Sequence, residues 1–467
     1  MNTPNENTSL ADWLHYLELL HPTEIDLGLE RVKTVADELG VLKPSHKVIT
    51  VAGTNGKGSV CAMLDSILRA GGYNVACYTS PHLIDYNERF RINGEFATDD
   101  QIIEQFNRIE KARGETSLSY FEFATLAALL LFNEAEIDVA ILEVGLGGRL
   151  DAVNIIDADC SIVTSIDVDH TEYLGSDRNQ IAWEKAHIYR SGKPAICADP
   201  QPPITLIDYA KAIGADLWIF GKDFNYSGDN QQWAYGGRSQ RRNALSYPAL
   251  RGANQLINAS AAMAALESIR PDIVIPAHAI RLGLLHAVLP GRFQILPGDP
   301  IIILDVAHNP HSASALGHNL AAMPSVGKTH AVVGMFKDKD NVHTLLPLVE
   351  HVDNWYCASL SGTRGLTSKE LSEQLKKAQQ LASNGNSCTA NDSTGYSNEH
   401  ANTKGNSPGV KPGVRARSVK GNVKINEYNT VIQAFKAARK NSAANDRILV
   451  FGSFSSVGPV LELINSQ

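Results

Sequence analysis

The segment GTNGKGS, residues 53–59, has the residue types and spacing of a loop that binds phosphate. Glycines let the backbone approach an anion closely, and N–H groups at a helix start point towards phosphate oxygens. Lys57 is placed to neutralise the β- and γ-phosphates, and Ser59 to meet the phosphates or their metal ion. Gly58 separates these two residues, whereas the standard motif has Ser or Thr directly after Gly-Lys. The predicted phosphate-binding residues are Gly53, Thr54, Asn55, Gly56, Lys57, Gly58 and Ser59.

Three more polar residues follow predicted strands near this loop. Glu143 ends the apolar run DVAILEV, His170 follows CSIVTSI, and Ser80 follows VACYT. Each has a structural alternative, because a Glu can cap a loop, a His can simply pack, and a Ser before Pro is common in turns. Parallel sheets bind ligands at the carboxyl ends of their strands, and Mg²⁺ takes oxygen ligands. The convergence predicts a magnesium site formed by Ser59, Ser80, Glu143 and His170.

A second polar group occurs further along the chain. Asp305 ends the run IIILDV and is followed closely by His308, as expected of a second half-site that faces the first across a cleft. Arg292 can pair with a phosphate oxyanion or form an ordinary salt bridge. Lys185, on a predicted helix, is by residue type alone a surface lysine.

The elements that must position these residues alternate between strands and helices. Residues 48–52 predict a strand, and a helix over about 60–70 follows the phosphate loop. Further buried strands are predicted over 75–79, 138–144, 160–166, 301–306, 330–335 and 448–451. Continuously apolar strands separated by helices indicate parallel sheets buried on both faces. The sequence thus predicts an α/β fold with a P-loop-type ATPase domain over 1–297 and a smaller Rossmann-like domain over 298–467.

One segment does not fit either domain. Residues 383–409 contain no Ile, Leu, Val, Phe, Met or Trp, and basic residues follow them. Such a composition cannot bury enough apolar area to offset the entropy of ordering. We therefore predict a disordered surface insertion over about 383–425.

Bulk composition excludes several classes of protein. The net charge of −8 gives no basic surface for nucleic acid or for an anionic membrane. The most apolar run, Phe121 to Phe132, is too short to span a bilayer and contains Glu122. Six scattered cysteines without a CxxC pair, and no basic region before an apolar stretch at the start, predict a cytoplasmic protein. A monomer is the default expectation.

The ordered motifs resemble the Mur ligase superfamily, and within it the bacterial dihydrofolate synthase/folylpolyglutamate synthase family. The resemblance covers nearly the whole chain except about 383–425. It rests on IDLGLERV, VAGTNGKGS, TSPHL, YFEF, ILEVGLGGRLDAVN, DHT, EKA, PGRFQ, DVAHNP and GMFKDKD, in that order. Two positions depart from the family pattern: His187 stands where Gly is usual, and Ser455 where His is common.

The resemblance implies a role for each matched residue. ATP would be bound by the phosphate loop together with Asn258, Arg292 and Asp305. Magnesium would occupy up to two sites, and Lys185 stands at the position of the family's carbamylated lysine. Carbamylation needs a neutral amine and hence a lowered lysine pKa. Lys57, Lys185, His170 and His308 would be catalytic. The pterin-bearing substrate would lie against Asp26, Leu27, Gly28, Leu29, Ser119, Tyr120, Phe121, Glu122, Leu150, Asp151 and Ala152.

The activity implied by the resemblance is ATP-dependent amide formation. The ligase would add L-glutamate to dihydropteroate and to reduced folates through an acyl phosphate, with small molecules as its only partners. Three alternatives stay open: a monofunctional folylpolyglutamate synthase, a cell-wall peptide ligase of the same superfamily, and a nucleotide-binding switch without ligase activity.

Overall fold

The computed structural model describes residues 4, 8–23, 25–229, 231–324, 327–388 and 424–467. The chain forms two compact units, Met1–Gln294 and Ile295–Gln467. The boundary between them falls within the Pro- and Gly-rich linker PGRFQILPGDP, a few residues before the predicted one. Each unit has its own sheet, so each is described by itself.

The N-terminal unit is built on an eight-stranded sheet. Its strand order is β4-β3-β2-β5-β1-β6-β7-β8, and all pairs are parallel except β2 with β3 and β3 with β4. The strands are β1 (Lys47–Ala52), β2 (Val75–Tyr78), β3 (Phe90–Ile92), β4 (Glu95–Phe96), β5 (Val139–Glu143), β6 (Cys160–Val163), β7 (Pro194–Cys197) and β8 (Asp216–Ile219). The central strands β1, β2, β5 and β6 are buried along almost their entire length, as parallel strands between two helical layers must be.

Helices cover both faces of this sheet. They are α1 (Leu10–Leu20), α2 (Glu30–Glu38), α3 (Lys57–Ala70), α4 (Asp99–Arg113), α5 (Tyr120–Glu134), α6 (Thr171–Leu174), α7 (Arg178–Ala186), α8 (Ile204–Ala212), α9 (Gln255–Ser268) and α10 (Ala277–His286). One apolar core contains α1, α2, α4 and α5, and the other lies around α3 and α9. A small antiparallel sheet, β9 (Asn225–Gly228), β10 (Trp233–Gly236) and β11 (Arg241–Leu245), adds to the second core.

The parallel order places four strand ends side by side. Strands β2, β5, β1 and β6 are consecutive neighbours, so the loops that follow them lie at one edge of the sheet. Those loops carry Ser80, Glu143, the phosphate loop and the segment before His170. The sheet therefore brings the predicted ligands to a common edge.

The C-terminal unit has a six-stranded sheet of order β12-β13-β17-β14-β15-β16. Its strands are β12 (Gln294–Leu296), β13 (Ile301–Asp305), β14 (Thr329–Val333), β15 (Asn354–Ala358), β16 (Lys424–Tyr428) and β17 (Arg447–Phe451). The pairs from β13 through β16 are parallel. Its helices are α11 (Pro310–Ala322), α12 (Asn341–Leu345), α13 (Ser368–Cys388), α14 (Val431–Asn441) and α15 (Phe454–Asn465). The predicted α/β class is confirmed.

The interval predicted to be a disordered insertion contains regular structure at both of its ends. Helix α13 runs through 383–388, and β16 begins at Lys424, so both ends of the 383–425 interval belong to regular elements. Residues 389–423 lie outside the described residues. Within the described part of the chain, no helix is long and apolar enough to cross a membrane.

Candidate active site

The phosphate loop connects β1 to α3 in a backbone shape that only glycine adopts easily. Gly53 has φ +145°, and a Cβ there would lie 1.7 Å from Thr164 Oγ1. Gly56 is the N-cap of α3, has φ +96°, and no side chain caps the helix. The first N–H groups of α3 are therefore not satisfied by a cap and are available to an anion. Lys57 Nζ donates to Gly53 O at 3.0 Å, within the same loop.

The loop after β6 holds the phosphate loop in place. Thr164 Oγ1 and Ser165 Oγ donate to the Asn55 carbonyl at 2.9 and 3.0 Å. Thr54 N donates to Ser165 O at 2.7 Å, and Thr54 Oγ1 donates to Asp167 O at 3.0 Å. Thr164 and Ser165 were not predicted as functional residues, because both lie within the strand predicted over 160–166. Their hydroxyls stabilise the conformation of the phosphate loop.

Glu143 is a buried carboxylate at the end of β5. Its side chain is 4% exposed, and its Oε2 accepts a hydrogen bond from Ser80 N at 3.3 Å. A Cβ on Gly58 would lie 3.8 Å from the same oxygen, so the carboxylate adjoins the first turn of α3. Burial raises the pKa of Glu143, while Lys57, Arg292 and the Ser80 N–H oppose this increase. An ionised Glu143 is thus energetically costly without a cation beside it.

Lys185 is not the surface lysine that its residue type suggested. It is 4% exposed, and its Nζ donates to Gly53 O at 3.1 Å. Burial, and then the charge of Lys57, lower its pKa to about 7, against smaller contributions from Asp169, Asp151 and Glu184. The buried amine therefore lies at the phosphate loop and is partly neutral near pH 7.

The lowered pKa of Lys185 predicts a pH dependence of stability. Between about pH 7 and 10.5 the unfolded chain binds a proton at this lysine that the folded chain does not, so stability rises with pH over this interval. K185M removes the group and should remove this part of the slope. Urea unfolding of both proteins in bicarbonate-depleted buffer at pH 7, 8 and 9 measures the difference. The exposed lysine variant K222M should retain the wild-type slope.

The predicted aromatic surface for a pterin adjoins the glycine-rich loop after β5. A Cβ on Gly145 would lie 2.6 Å from Phe121 Cζ, so the ring lies directly on this glycine. Tyr78 is the next ring, with centroids 6.0 Å apart. Phe121 and its neighbour Tyr120 are both only partly buried. A larger residue at position 145 would therefore collide with the Phe121 ring.

A charged network joins the two segments predicted to bind the acceptor. Arg31 pairs with Asp26 at 2.8 Å and with the buried Glu122 at 3.1 Å, and His21 Nε2 lies 3.0 Å from Asp26. Ser119 caps α5, because its Oγ accepts from Glu122 N while Ser119 N donates to the Glu122 carboxylate at 2.7 Å. Ser119 and Glu122 thus have a helix-capping role in this structure. Leu27, Gly28 and Leu29 are half-buried between Asp26 and α2.

Substitution of Arg31 should destabilise the fold, because it removes the ion pairs that join the two predicted acceptor segments. R31L leaves Glu122 buried without its cation, and we expect the free energy of unfolding to fall by about 1–3 kcal/mol. The matched variant is R108L, whose partner Glu134 is half exposed, and its cost should stay below about 1 kcal/mol. Denaturant unfolding measures both. Equal losses of unfolding free energy in the two variants would contradict the prediction, because the burial of Glu122 would then add nothing to the cost.

The predicted acceptor residues Leu150, Asp151 and Ala152 follow the glycine-rich loop, and backbone N–H groups bind the Asp151 carboxylate. Asp151 is 3% exposed and accepts from Leu146 N and Val153 N at 2.8 and 3.0 Å. Burial raises the pKa of Asp151 to about 6, although the backbone N–H donors lower it in part. Ala152 is buried, and Leu150 remains partly exposed.

Two predicted nucleotide residues lie beside the phosphate loop. A Cβ on Gly56 would lie 2.6 Å from Asn258 Oδ1, and Asn258 Nδ2 donates to Gln255 Oε1 at 3.1 Å. Gln255 Nε2 in turn donates to the buried Ser59 Oγ at 3.4 Å. Arg292 lies close enough to Glu143 to lower its pKa. Gln255 was not predicted from the sequence, because no motif surrounds it.

His170 lies at the same edge, in the loop that follows β6. It is the N-cap of α6, is half-buried, and has a left-handed backbone with φ 51°. Among the described residues, no group of three or more His, Cys, Asp and Glu side chains could bind a metal ion unaided. A site here would need hydroxyl or phosphate oxygens besides Glu143 and His170.

Asp305 and His308 belong to the C-terminal unit. Asp305 is the last residue of β13, and its Oδ1 accepts from Ala307 N at 2.8 Å. His308 Nδ1 lies 2.8 Å from the Val306 carbonyl, and Asn309 caps the start of α11. Both residues thus lie at the carboxyl end of a parallel strand in their own sheet.

Two families of known domains match the chain. The Mur ligase middle domain matches residues 51–266, and the Mur ligase glutamate ligase domain matches residues 291–454. The dihydrofolate synthase/folylpolyglutamate synthase of Escherichia coli is 44% identical over 465 residues, covering 100% of this chain and 98% of the relative. The enzyme of that name from Haemophilus influenzae is 37% identical over 96% of both chains.

Solved structures of folylpolyglutamate synthases are also similar to this chain. E. coli FolC in complex with DHPP and ADP has a TM-score of 0.86 and 44% identity, and covers 99% of each chain. A bifunctional folylpolyglutamate synthase/dihydrofolate synthase with Mn, AMPPNP and L-glutamate bound has a TM-score of 0.83 and 40% identity, over 99% of this chain and 100% of that one. The chain therefore belongs to the Mur ligase superfamily and, within it, to the dihydrofolate synthase/folylpolyglutamate synthase family.

Proposed function

We propose that this protein is an ATP-dependent ligase that forms an amide between L-glutamate and a folate-type carboxylate. Its acceptors are dihydropteroate, which gives dihydrofolate, and reduced folates, which give folylpolyglutamates. The observation that carries the proposal is the convergence of Lys57, Lys185 and Glu143 on one phosphate loop at the sheet edge. The family assignment supports the choice of acceptor and of glutamate.

The reaction requires activation of a carboxylate. A carboxylate oxygen of the acceptor attacks the γ-phosphorus of ATP, the bond to the bridging oxygen breaks, and ADP leaves. The amine of glutamate then attacks the acyl carbon, the bond to phosphate breaks, and inorganic phosphate and a proton leave. Lys57 and the uncapped N–H groups of α3 stabilise negative charge on the phosphoryl groups. Asn258, Arg292 and Asp305 are proposed to contact the nucleotide, and His308 is proposed to be catalytic.

A divalent cation fits the residues at the edge of the sheet. Glu143 is a desolvated carboxylate with a raised pKa, and a cation beside it would offset the cost of ionising it. Hydroxyl and carboxylate oxygens suit Mg²⁺, so we assign Ser59, Ser80 and Glu143 to its binding. His170 is added as a nitrogen ligand on the resemblance to the family. Bound Mg²⁺ would neutralise charge on the transferring phosphoryl group.

Lys185 has the properties that carbamylation needs. Carbon dioxide reacts with a neutral amine, a C–N bond forms, and a proton leaves. The buried Nζ with a pKa of about 7 supplies that neutral amine near pH 7. The resulting anion would lie beside Gly53 and Lys57, where it is suited to help place a second Mg²⁺.

We also propose that the protein is a monomer in a reducing cytoplasm. Among the described residues, the free and buried cysteines are Cys61, Cys77, Cys160, Cys197 and Cys357.

ADP release by the purified protein tests the proposal directly. The reactions contain Mg-ATP and L-glutamate with dihydropteroate, with tetrahydrofolate, or without an acceptor, and a parallel set omits glutamate. Mass spectrometry of the products counts the glutamates added. We expect release with both acceptors, and a mass increase only in the reactions that contain glutamate.

The other outcomes separate the alternatives. Release with tetrahydrofolate alone identifies a monofunctional folylpolyglutamate synthase. Bound ATP without release in any reaction contradicts the folate assignment and favours another superfamily substrate or a nucleotide switch.

A further inference from the structure

A buried cation without a carboxylate partner lies against Tyr120 of the predicted acceptor segment. The Arg89 side chain is 8% exposed, at the end of a short 3-10 helix (Tyr86–Arg89) that leads into β3. Its Nε donates to His82 Nδ1 at 3.0 Å, and its Cζ lies 5.3 Å from the Tyr86 ring centroid and 5.6 Å from that of Tyr120. Among the described residues no carboxylate forms an ion pair with Arg89.

A desolvated guanidinium needs an anion to recover the solvation energy that it loses. Aromatic faces, the Tyr78 hydroxyl and an imidazole offset this cost only in part, because none of them carries a negative charge. Because Arg89 Nε donates to it, His82 Nδ1 accepts this hydrogen bond and carries no negative charge that could replace an anion.

The surrounding loop holds this cation rigidly. The Glu88 carboxylate accepts from the N–H groups of Leu83, Ile84 and Asp85 at 2.7–2.9 Å. Thr79 N donates to Arg89 O at 3.1 Å, which closes the loop between β2 and β3. The arginine is thus preorganised before any ligand arrives.

The same cluster has an unsatisfied polar atom. The Tyr86 side chain is 4% exposed, and its hydroxyl has no hydrogen-bond partner among the described residues. Buried hydroxyls normally have a partner, so this atom marks the cluster as incomplete. The Arg89 guanidinium and the Tyr86 hydroxyl together indicate that the cluster binds a ligand with a negatively charged oxygen.

The position of the cluster indicates which anion it binds. Tyr120 begins α5 in the predicted acceptor segment, next to Phe121. The loop that carries Arg89 starts at Ser80, whose N–H donates to Glu143 beside the phosphate loop. A carboxylate bound by Arg89 would thus lie beside Tyr120, on the loop that contacts Glu143. We propose that Arg89 binds the reacting carboxylate of the acceptor, with His82 as the residue that positions the guanidinium.

This inference rests on the proposed function, so its test measures binding as well as turnover. Titration calorimetry compares dihydropteroate with its primary amide, in which –CONH₂ replaces the carboxylate. Wild type should prefer the acid, and R89Q should bind acid and amide equally. In turnover assays, R89Q and R89K should raise the acceptor KM roughly 10- to 100-fold, as expected when a hydrogen-bonded charge pair is lost. The KM values for ATP and glutamate should change little.

His82 is tested by a pair of variants. H82N keeps an oxygen acceptor for Arg89 Nε and should restore much of the acid preference that H82L loses. R91K is the matched control, because Arg91 is a neighbouring arginine that pairs with Asp65 and should leave acceptor binding unchanged. Nucleotide binding and a thermal melt verify that each variant is folded.

The possible failures are distinguishable. A wild type that turns over neither acceptor overturns the proposed function. An active wild type with an R89Q variant that still prefers the acid overturns the role of Arg89. A raised glutamate KM with unchanged acceptor preference also overturns it, because Arg89 would then bind the incoming amino acid.

Discussion

K57M should lower kcat by roughly 100- to 1000-fold, which is the usual cost of removing one preorganised donor to developing charge. Lys57 Nζ donates to Gly53 O at 3.0 Å, so the ammonium group lies at the phosphate loop before a ligand binds. Methionine has a similar length and no charge, and the loop carbonyls remain free to bond water. The measurement is ADP release at saturating ATP, glutamate and acceptor.

The control for this prediction is K222M, which removes a lysine from an exposed turn after β8. It should retain full activity. A loss in K57M that is recovered fully by more ATP would contradict the prediction, because Lys57 would then contribute only to ground-state binding.

E143Q should have opposite effects on activity and on stability. Without the carboxylate, the proposed metal site loses its one buried anion, and kcat should fall roughly 100-fold or more. The raised pKa of Glu143 means that the folded state disfavours its ionised form, and the metal-free wild type loses stability as pH rises above the ordinary glutamate value. The neutral glutamine avoids this cost, so metal-free E143Q should melt at a higher temperature than metal-free wild type at pH 7.

Calorimetric melts with and without Mg²⁺ check the second half of this prediction. Mg²⁺ should raise the melting temperature of wild type more than that of E143Q. The exposed variant E115Q should behave as wild type in both assays. A metal-free E143Q that melts below wild type would mean that Glu143 stabilises the fold through its own contacts.

Strand positions and the common edge of the sheet followed from the sequence. Apolar runs such as DVAILEV are long enough to identify buried strands, and parallel order then brings Glu143 and the phosphate loop to one edge. The α/β class was therefore predictable from these runs, whereas the family was predictable from the resemblance of the ordered motifs. The buried state of Lys185 was implied only by the resemblance, because residue type alone indicates a surface lysine.

Other parts of the site depend on contacts between residues far apart in sequence. Arg31 meets Glu122 across 91 positions, and Thr164 meets Asn55 across 109. Arg89 lies in the sequence YNERFRI, where nothing distinguishes a buried arginine from a surface one. Such partners can be identified only from the folded structure, which shows which polar groups are buried.

The Gly53 carbonyl accepts hydrogen bonds from both Lys57 and Lys185. The charge of Lys57 is one cause of the low proton affinity of Lys185. An anion that binds the loop offsets part of this charge and makes protonation of Lys185 easier, whereas carbamylation blocks it. Nucleotide binding is thereby linked to proton uptake. The heat of ATP binding to the carbamate-free protein should consequently vary with the ionisation enthalpy of the buffer, and the number of protons taken up would report the chemical state of Lys185.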